Sequence, residues 1–282
     1  MRRYSLAGLA LALTFSAVAG VAAAQPGSAP PVPTGAVVWW DLLTESPATV
    51  LDFYRQLFGW DVAEHTDRHW VISHHGQPIA GISRIREDNP EVEQSFWLAG
   101  IAVGDVDAAA SEARRLGAKV HVEPTDSAGY GRYAVITDPE GVPVMLLQPF
   151  RSLGGSTGPG SWVWAELWAR QPDDEARFYG RVVGYQRDRI DMAGSSYEVL
   201  ATGGERRAGL VRTPTAQIEP AWAPYVEVAR LEATLARVAE LGGSVLVEPR
   251  LLRSSGSVAL VADPAGAALF LYERPSSEEV TR

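Results

Sequence analysis

Two acids stand alone in apolar surroundings: Asp41 in Val37-Val38-Trp39-Trp40-Asp41-Leu42-Leu43 and Glu166 in Trp162-Val163-Trp164-Ala165-Glu166-Leu167-Trp168. A carboxyl in such a run is either a general base whose pKa burial has raised or a structural acceptor for neighbouring donors. Asp41 and Glu166 are therefore the candidate catalytic groups. The five histidines, His65, His69, His74, His75 and His121, all precede residue 122. His69, His74 and His75 flank a His75-Gly76 turn and read as solvated loop residues rather than as a metal site. Gly129-Tyr130-Gly131-Arg132 has the glycines of a phosphate loop. No helix N-terminus follows it to supply donors, so it reads as the glycine-rich start of a strand. With no cysteine, the chain has neither disulfides nor thiolate ligands, and no lipid can be attached at a cysteine.

The acids are placed by a repeat. Phe53-Tyr54 returns as Phe178-Tyr179, Leu116-Gly117 as Leu241-Gly242, Val122-Glu123-Pro124 as Val247-Glu248-Pro249, and Asp138-Pro139 with Gly141 as Asp263-Pro264 with Gly266, all at one offset of 125. Asp41 matches Glu166 at the same offset. Ala80-Gly81 returns as Ala208-Gly209 at 128, which confines the length difference to connecting loops. Opposite His69, His74 and His75 the second copy has Tyr197, Thr202 and Gly203.

Within the first copy, residues 37–43 alternate as a strand. Residues 47–57 form a helix with Ser46 as cap, Pro47 in its first turn and Gly59 at its end. Residues 70–73 and 79–85 form a hairpin. A second series follows: strand 96–103, helix 106–116, and strands 119–122, 133–137 and 142–147. Each copy is a doubled βαβββ unit.

Residues 1–24 read as a signal peptide: Arg2-Arg3, an uncharged apolar run over 6–23, and small residues at Ala22-Ala23-Ala24. The expected location is exported, periplasmic or secreted, with no stable membrane insertion after cleavage. Residues 25–35 form a Pro-rich tether and residues 151–160 a Gly-rich linker. A net charge of -9 argues against a nucleic-acid or anionic-membrane partner.

The helix with Phe-Tyr followed by Phe58-Gly59-Trp60, then Asp105-Val106-Asp107-Ala108-Ala109, Gly129-Tyr130-Gly131-Arg132 and Asp138-Pro139-Glu140-Gly141, closely resembles the vicinal oxygen chelate superfamily. That superfamily holds glyoxalase I, extradiol dioxygenases, fosfomycin-resistance enzymes and bleomycin-binding proteins. The tandem arrangement is similar to its 27 kDa antigen-like branch. The resemblance implies an α+β fold of two glyoxalase-like domains, residues 36–150 and 161–274, followed by a tail at 275–282. Each domain would be two βαβββ modules forming a cupped mixed sheet with helices on the outer face.

In metal-dependent members the resemblance implies ligands at the positions of Trp39, Leu98 and Met145 in the first domain and Trp164, Ala223 and Phe270 in the second. A fourth would fall within 78–85 or 206–212, which hold no acid or histidine. Indole, alkyl and phenyl groups cannot complete an oxygen and nitrogen shell, so no metal and no other cofactor is expected. The same positions mark the cup face by strand alternation. In the first domain it carries Val37, Trp39, Asp41, Leu43, Phe96, Leu98, Pro143, Met145 and Leu147. In the second it carries Trp162, Trp164, Glu166, Trp168, Tyr225, Glu227, Phe270 and Tyr272. Trp40, Trp97 and Trp222 fall on the opposite face with Val38, Ile101 and Val226. This contrast points to a small aromatic or cationic molecule stacked in the second cup, with Glu166 and Glu227 opposing its charge. Aromatics that merely fill the cup, with satisfied acids, are the alternative. Three classes follow: a metal-free binding protein, a lyase, isomerase or oxygenase working through a carboxylate or an unusual metal site, and a ligand-free scaffold or surface antigen.

Overall fold

The computed structural model describes residues 32–85, 95–127, 130–150, 153, 155–191, 196–252 and 256–275. The expected signal peptide, most of the tether, part of the linker and residues 276–282 lie outside them. In the first half, β1 (Val37–Thr44), α1 (Pro47–Phe58), β2 (Asp61–Thr66), β3 (His69–His74) and β4 (Gln77–Arg84) make one module. β5 (Phe96–Ala102), α2 (Val106–Arg115), β6 (Lys119–Ser127), β7 (Gly131–Thr137) and β8 (Pro143–Pro149) make the other. The eight strands form one sheet, ordered β2-β3-β4-β1-β5-β8-β7-β6. Antiparallel β1 and β5 join the modules, while β1–β4 and β5–β8 are parallel.

The second half repeats the arrangement with β9 (Trp162–Ala169), α3 (Pro172–Val182), β10 (Gln186–Asp191), β11 (Ser196–Thr202) and β12 (Glu205–Arg212). It continues with β13 (Ala221–Glu227), α4 (Leu231–Glu240), β14 (Ser244–Leu251), β15 (Ser257–Ala262) and β16 (Ala268–Glu273). This is the tandem arrangement that the repeat predicts and the α+β fold that the resemblance implies. The edge strands β2 and β10 are additions. Their polar runs, Asp61–Thr66 and Gln186–Asp191, carry no apolar alternation because an edge strand buries little.

Local signals act largely as expected. Gly59 closes α1 in the left-handed region at φ 68, where a side chain would be strained. Ser46 occupies the cap position, but its side chain makes no cap bond; its own N–H donates to Thr44 Oγ1 at 3.1 Å. Asp105 does cap α2, accepting from the Ala108 N–H at 2.9 Å.

The helix-bearing faces of the two sheets are turned toward each other and share one continuous core. Reciprocal hydrogen bonds hold the halves about a pseudo-twofold axis. The Tyr54 hydroxyl donates to Asp263 at 3.0 Å and Tyr179 to Asp138 at 2.9 Å. Trp60 Nε1 donates to the Gly160 carbonyl at 2.8 Å, and the Tyr185 hydroxyl to the Gly35 carbonyl at 2.5 Å. The repeat's Phe-Tyr and Asp-Pro-x-Gly anchors are thus partners across the halves. Each aspartate also clamps its own turn: Asp138 accepts from Glu140 and Val142, and Asp263 from Ala265 and Ala267. Glu140 adds an acidic cap to α3 from the other half, accepting the Arg170 N–H at 2.7 Å and the Gln171 N–H at 2.5 Å. Beside them, burial and then the Asp138 charge raise the Glu175 carboxyl, and burial raises that of Asp138. Among the described residues no helix is long and apolar enough to cross a membrane.

Candidate functional site

The cups lie on the sheet faces turned away from the shared core. Strand alternation places their side chains correctly except at the starts of β1 and β9. There a register shift against β5 and β13 reverses the first residue. Val37 and Trp162 consequently join the shared core, whereas Val38 and Val163 face the cups. Trp162 is therefore not a cup residue. Its ring lies 5.2 Å from both Trp60 and Trp97 and 5.8 Å from Trp40, and its Nε1 donates to the Ile79 carbonyl at 3.2 Å.

The first cup is filled by its own side chains. Trp39, Leu43, Phe96, Leu98, Met145 and Leu147 are buried with Tyr130 and Leu153 against them. A cavity of about 10 Å³ remains, bounded by Trp39, Tyr133, Met145 and neighbours. That is room for about one water molecule. Beneath this packing Asp41 is fully buried and accepts from Ser83 Oγ at 3.2 and 3.3 Å; Ser83 Oγ lies 2.9 Å from His69 Nδ1. The His69 ring passes over Gly81, where an added Cβ would stand 2.7 Å from His69 Cε1 and 3.1 Å from Asp41 Oδ1. Burial pushes Asp41 up to about 7, against the smaller opposing effect of the Ser83 hydrogen bond. Burial, with His65 adding to it, pushes His69 down to about 4.

His69 and His74 are therefore not solvated loop residues. Both begin or end β3 and are 6% exposed. His74 Nδ1 lies 3.0 Å from Ser156 Oγ and 3.4 Å from Ser161 Oγ, between the halves. His75 alone of the three is exposed, in the turn at φ 51.

The second cup keeps the acid and surrounds it with a different set of side chains. Ala221 and Ala223 stand where Phe96 and Leu98 fill the first cup, and Trp164, Trp168 and Tyr272 are only half-buried. Tyr225 and Phe270 stack at 4.3 Å and 13°, with Trp168 tilted over Phe270 at 5.8 Å. Glu166, 8% exposed, accepts from the Tyr197 hydroxyl at 2.6 Å and from Trp168 Nε1 at 2.9 Å. Tyr197 in turn accepts from Trp164 Nε1 at 2.9 Å. Burial first, and the Glu166 charge second, raise the Tyr197 and Tyr225 phenols beyond their ordinary range. These partners of Glu166 are neutral.

Glu227 is different. Arg274 donates to both of its oxygens at 2.7 Å, so its charge is already matched and it does not face the cup as a free anion. Tyr197 and Arg274 are site residues that strand patterning missed. The Ala80-Gly81 and Ala208-Gly209 match was a signal for Tyr197, because in each half the glycine lets a ring from the neighbouring strand cross to the acid.

The donors do not suit the family's metal. Trp39, Leu98 and Met145 lie together in an apolar lining, as do Trp164, Ala223 and Phe270. Among the described residues no three His, Cys, Asp or Glu side chains gather as ligands.

Comparison with known proteins places this geometry. Residues 36–146 match the family model described as Glyoxalase/Bleomycin resistance protein/Dioxygenase superfamily, and residues 163–271 match that of a Glyoxalase-like domain. The chain is 31% identical over 249 residues to "Putative glyoxylase CFP32" of Mycobacterium tuberculosis, covering 86% of this chain and 95% of that protein. It is 30% identical over 257 residues to the anthracycline biosynthesis protein DnrV of Streptomyces peucetius, covering 85% and 93%. Among solved structures, the Mn(II)-bound glyoxalase from Novosphingobium aromaticivorans superposes with a TM-score of 0.63 at 14% identity, covering 85% of this chain and 82% of that one. At this identity the likeness shows the fold alone.

Proposed function

We propose, for a chain that belongs to the glyoxalase/bleomycin resistance protein/dioxygenase superfamily as a tandem pair of its domains, that the second cup binds a flat aromatic molecule carrying a cation or a strong hydrogen-bond donor, without a metal. The observation that carries this reading is the replacement of Phe96 and Leu98 by the small Ala221 and Ala223, beside half-buried indoles and a carboxylate whose partners are neutral. Stacking on indole and attraction to Glu166 would act together, a desolvated cation over an aromatic face contributing about 2 kcal/mol. The first half, its cup closed, serves as the body against which the second is held. The anthracycline biosynthesis relatives support a polycyclic aromatic class, because their name ties them to compounds of that kind. Export to the periplasm or the medium belongs to the same proposal and rests on residues 1–24.

Quenching of tryptophan fluorescence across a panel of aromatic metabolites tests the reading, with Glu166→Ala as control. Absence of quenching by every compound sinks it. Elemental analysis of the purified protein separates it from a metal enzyme: a stoichiometric divalent metal would overturn the metal-free part. A second reading, lyase or isomerase chemistry with Asp41 as general base, is favoured by one observation, a carboxyl held near pH 7 against Ser83 and His69. It predicts turnover that Asp41→Asn abolishes.

A further inference from the structure

Three side chains of one strand face, Trp164, Glu166 and Trp168, are tied together by Tyr197, which reaches them from β11, two strands away. Trp164 Nε1 donates to the Tyr197 hydroxyl, which donates to one Glu166 oxygen, while Trp168 Nε1 donates to the other, at 2.9, 2.6 and 2.9 Å. An indole N–H lies in the ring plane, so these bonds use the edges of both rings and not their faces. Tyr197 can make the link only because Gly209 lies beneath it. A Cβ there would fall 1.9 Å from the Tyr197 oxygen and 2.8 Å from Glu166 Cγ. In the first half the matching ring, His69, crosses Gly81 but is joined to Asp41 through Ser83. The position matching Ser83 is Val211, which offers no hydroxyl, so in the second half the tyrosine reaches the acid itself.

We propose that Tyr197 is the positioning residue of the second cup: it anchors Trp164 edge-on as one stacking wall while Glu166 supplies the preference for a planar aromatic cation. This rests on the binding reading above. Tyr197 would then govern affinity for any flat ring, and Glu166 the choice between cationic and anionic rings. A tyrosine that only supported the fold would lower stability in Tyr197→Phe and leave the affinity of the folded variant for both dyes unchanged.

The test uses proflavine as planar cation and anthraquinone-2-sulfonate as planar anion, titrated against the mature protein, Tyr197→Phe and Glu166→Gln. The wild type is expected to prefer proflavine. Tyr197→Phe, lacking one hydrogen bond to the indole and one to the acid, should weaken both dyes by about fivefold with their ratio kept. Glu166→Gln should reduce the ratio. If the wild type binds neither dye, the binding reading falls and this inference with it. If it binds them and Tyr197→Phe binds both as tightly, the positioning role is overturned while the reading stands. A measurement on the wild type, which needs no variant to fold, tests whether the dye lies against the indole that Tyr197 anchors. With 5-fluorotryptophan incorporated and signals assigned by single Trp→Phe changes, proflavine should shift the fluorine resonances of Trp164 and Trp168 and leave Trp162 in place. A shift at Trp162 alone would overturn the assignment.

Discussion

Replacing Asp41 with Asn should make the protein's stability depend on pH in a way the wild type conceals. Burial holds the Asp41 carboxyl at about 7 against an ordinary 3.8. A raised acid is harmless below 3.8 and costs the folded state progressively as pH rises through 7, a span of about 4 kcal/mol. His69 has the opposite sense. Its imidazole is held at about 4 against 6.5, so the fold is unpenalised above 6.5 and loses about 3 kcal/mol as pH falls through 4. Between roughly pH 4 and 6.5 the two slopes oppose each other and nearly cancel. Asp41→Asn keeps an acceptor for Ser83 and leaves only the histidine slope, so its stability should climb with pH. His69→Gln leaves only the acid slope and should decline. Urea unfolding followed by tryptophan fluorescence gives the difference from wild type. For Asp41→Asn that difference should move in the variant's favour by about 3–4 kcal/mol between about pH 4 and pH 8. Other buried acids, Asp138, Glu175 and Asp263, titrate in both proteins and drop out of the difference. An Asn variant displaced from wild type by the same amount at both pH values would refute the buried, raised carboxyl.

Three further outcomes follow from the geometry. Tyr54→Phe and Tyr179→Phe each remove a buried hydrogen bond to a carboxylate between the halves, and each should cost about 1.5–3 kcal/mol while both halves still unfold in one transition, as calorimetry would register. Trp162→Ala should destabilise by about 3–5 kcal/mol in denaturant titration, because the ring packs among Trp40, Trp60 and Trp97, yet leave dye binding intact. Ala223→Leu puts the first half's residue into the second cup and should abolish dye binding, measured by fluorescence, with little loss of stability.

How much of this was legible in the sequence follows from which contacts are local in register. The frame was legible because its anchors do similar work in both copies. Tyr54 meets Asp263, and Tyr179 meets Asp138, so the Phe-Tyr and Asp-Pro-x-Gly signatures encode both the turn and the join between halves. Strand alternation located the two acids and most of the aromatic lining. It misplaced Trp162 because a one-residue register shift turns a side chain to the other face and leaves no mark in composition. It left out β2 and β10 because polar edge strands do not alternate. Glu227 looked like a free anion because its partner Arg274 is 47 residues away. His69 looked like a loop residue because the length of β3 depends on pairing with β2 and β4, which the local sequence does not display.

The two acids stand in the same relation to the family's ligand positions in both halves. The resemblance puts a ligand at residues 39 and 164, where both halves carry tryptophan. The carboxylates stand two residues further along the same strand faces, at 41 and 166, beside a glycine in the parallel neighbour: Gly81 pairs with Asp41 and Gly209 with Glu166. Without a Cβ on that neighbour, a ring two strands from the acid can cross the sheet face and meet it directly or through a hydroxyl. In the first half the ring is a histidine, the space above is filled, and the acid is sealed from solvent at the cost of a raised pKa. In the second the ring is a tyrosine, alanines stand in place of the larger side chains, and the acid keeps partners that match its hydrogen-bonding needs without matching its charge. The difference between the two cups thus comes down to a few side chains on one face: Phe96 and Leu98 against Ala221 and Ala223, and His69 with Ser83 against Tyr197 with Val211.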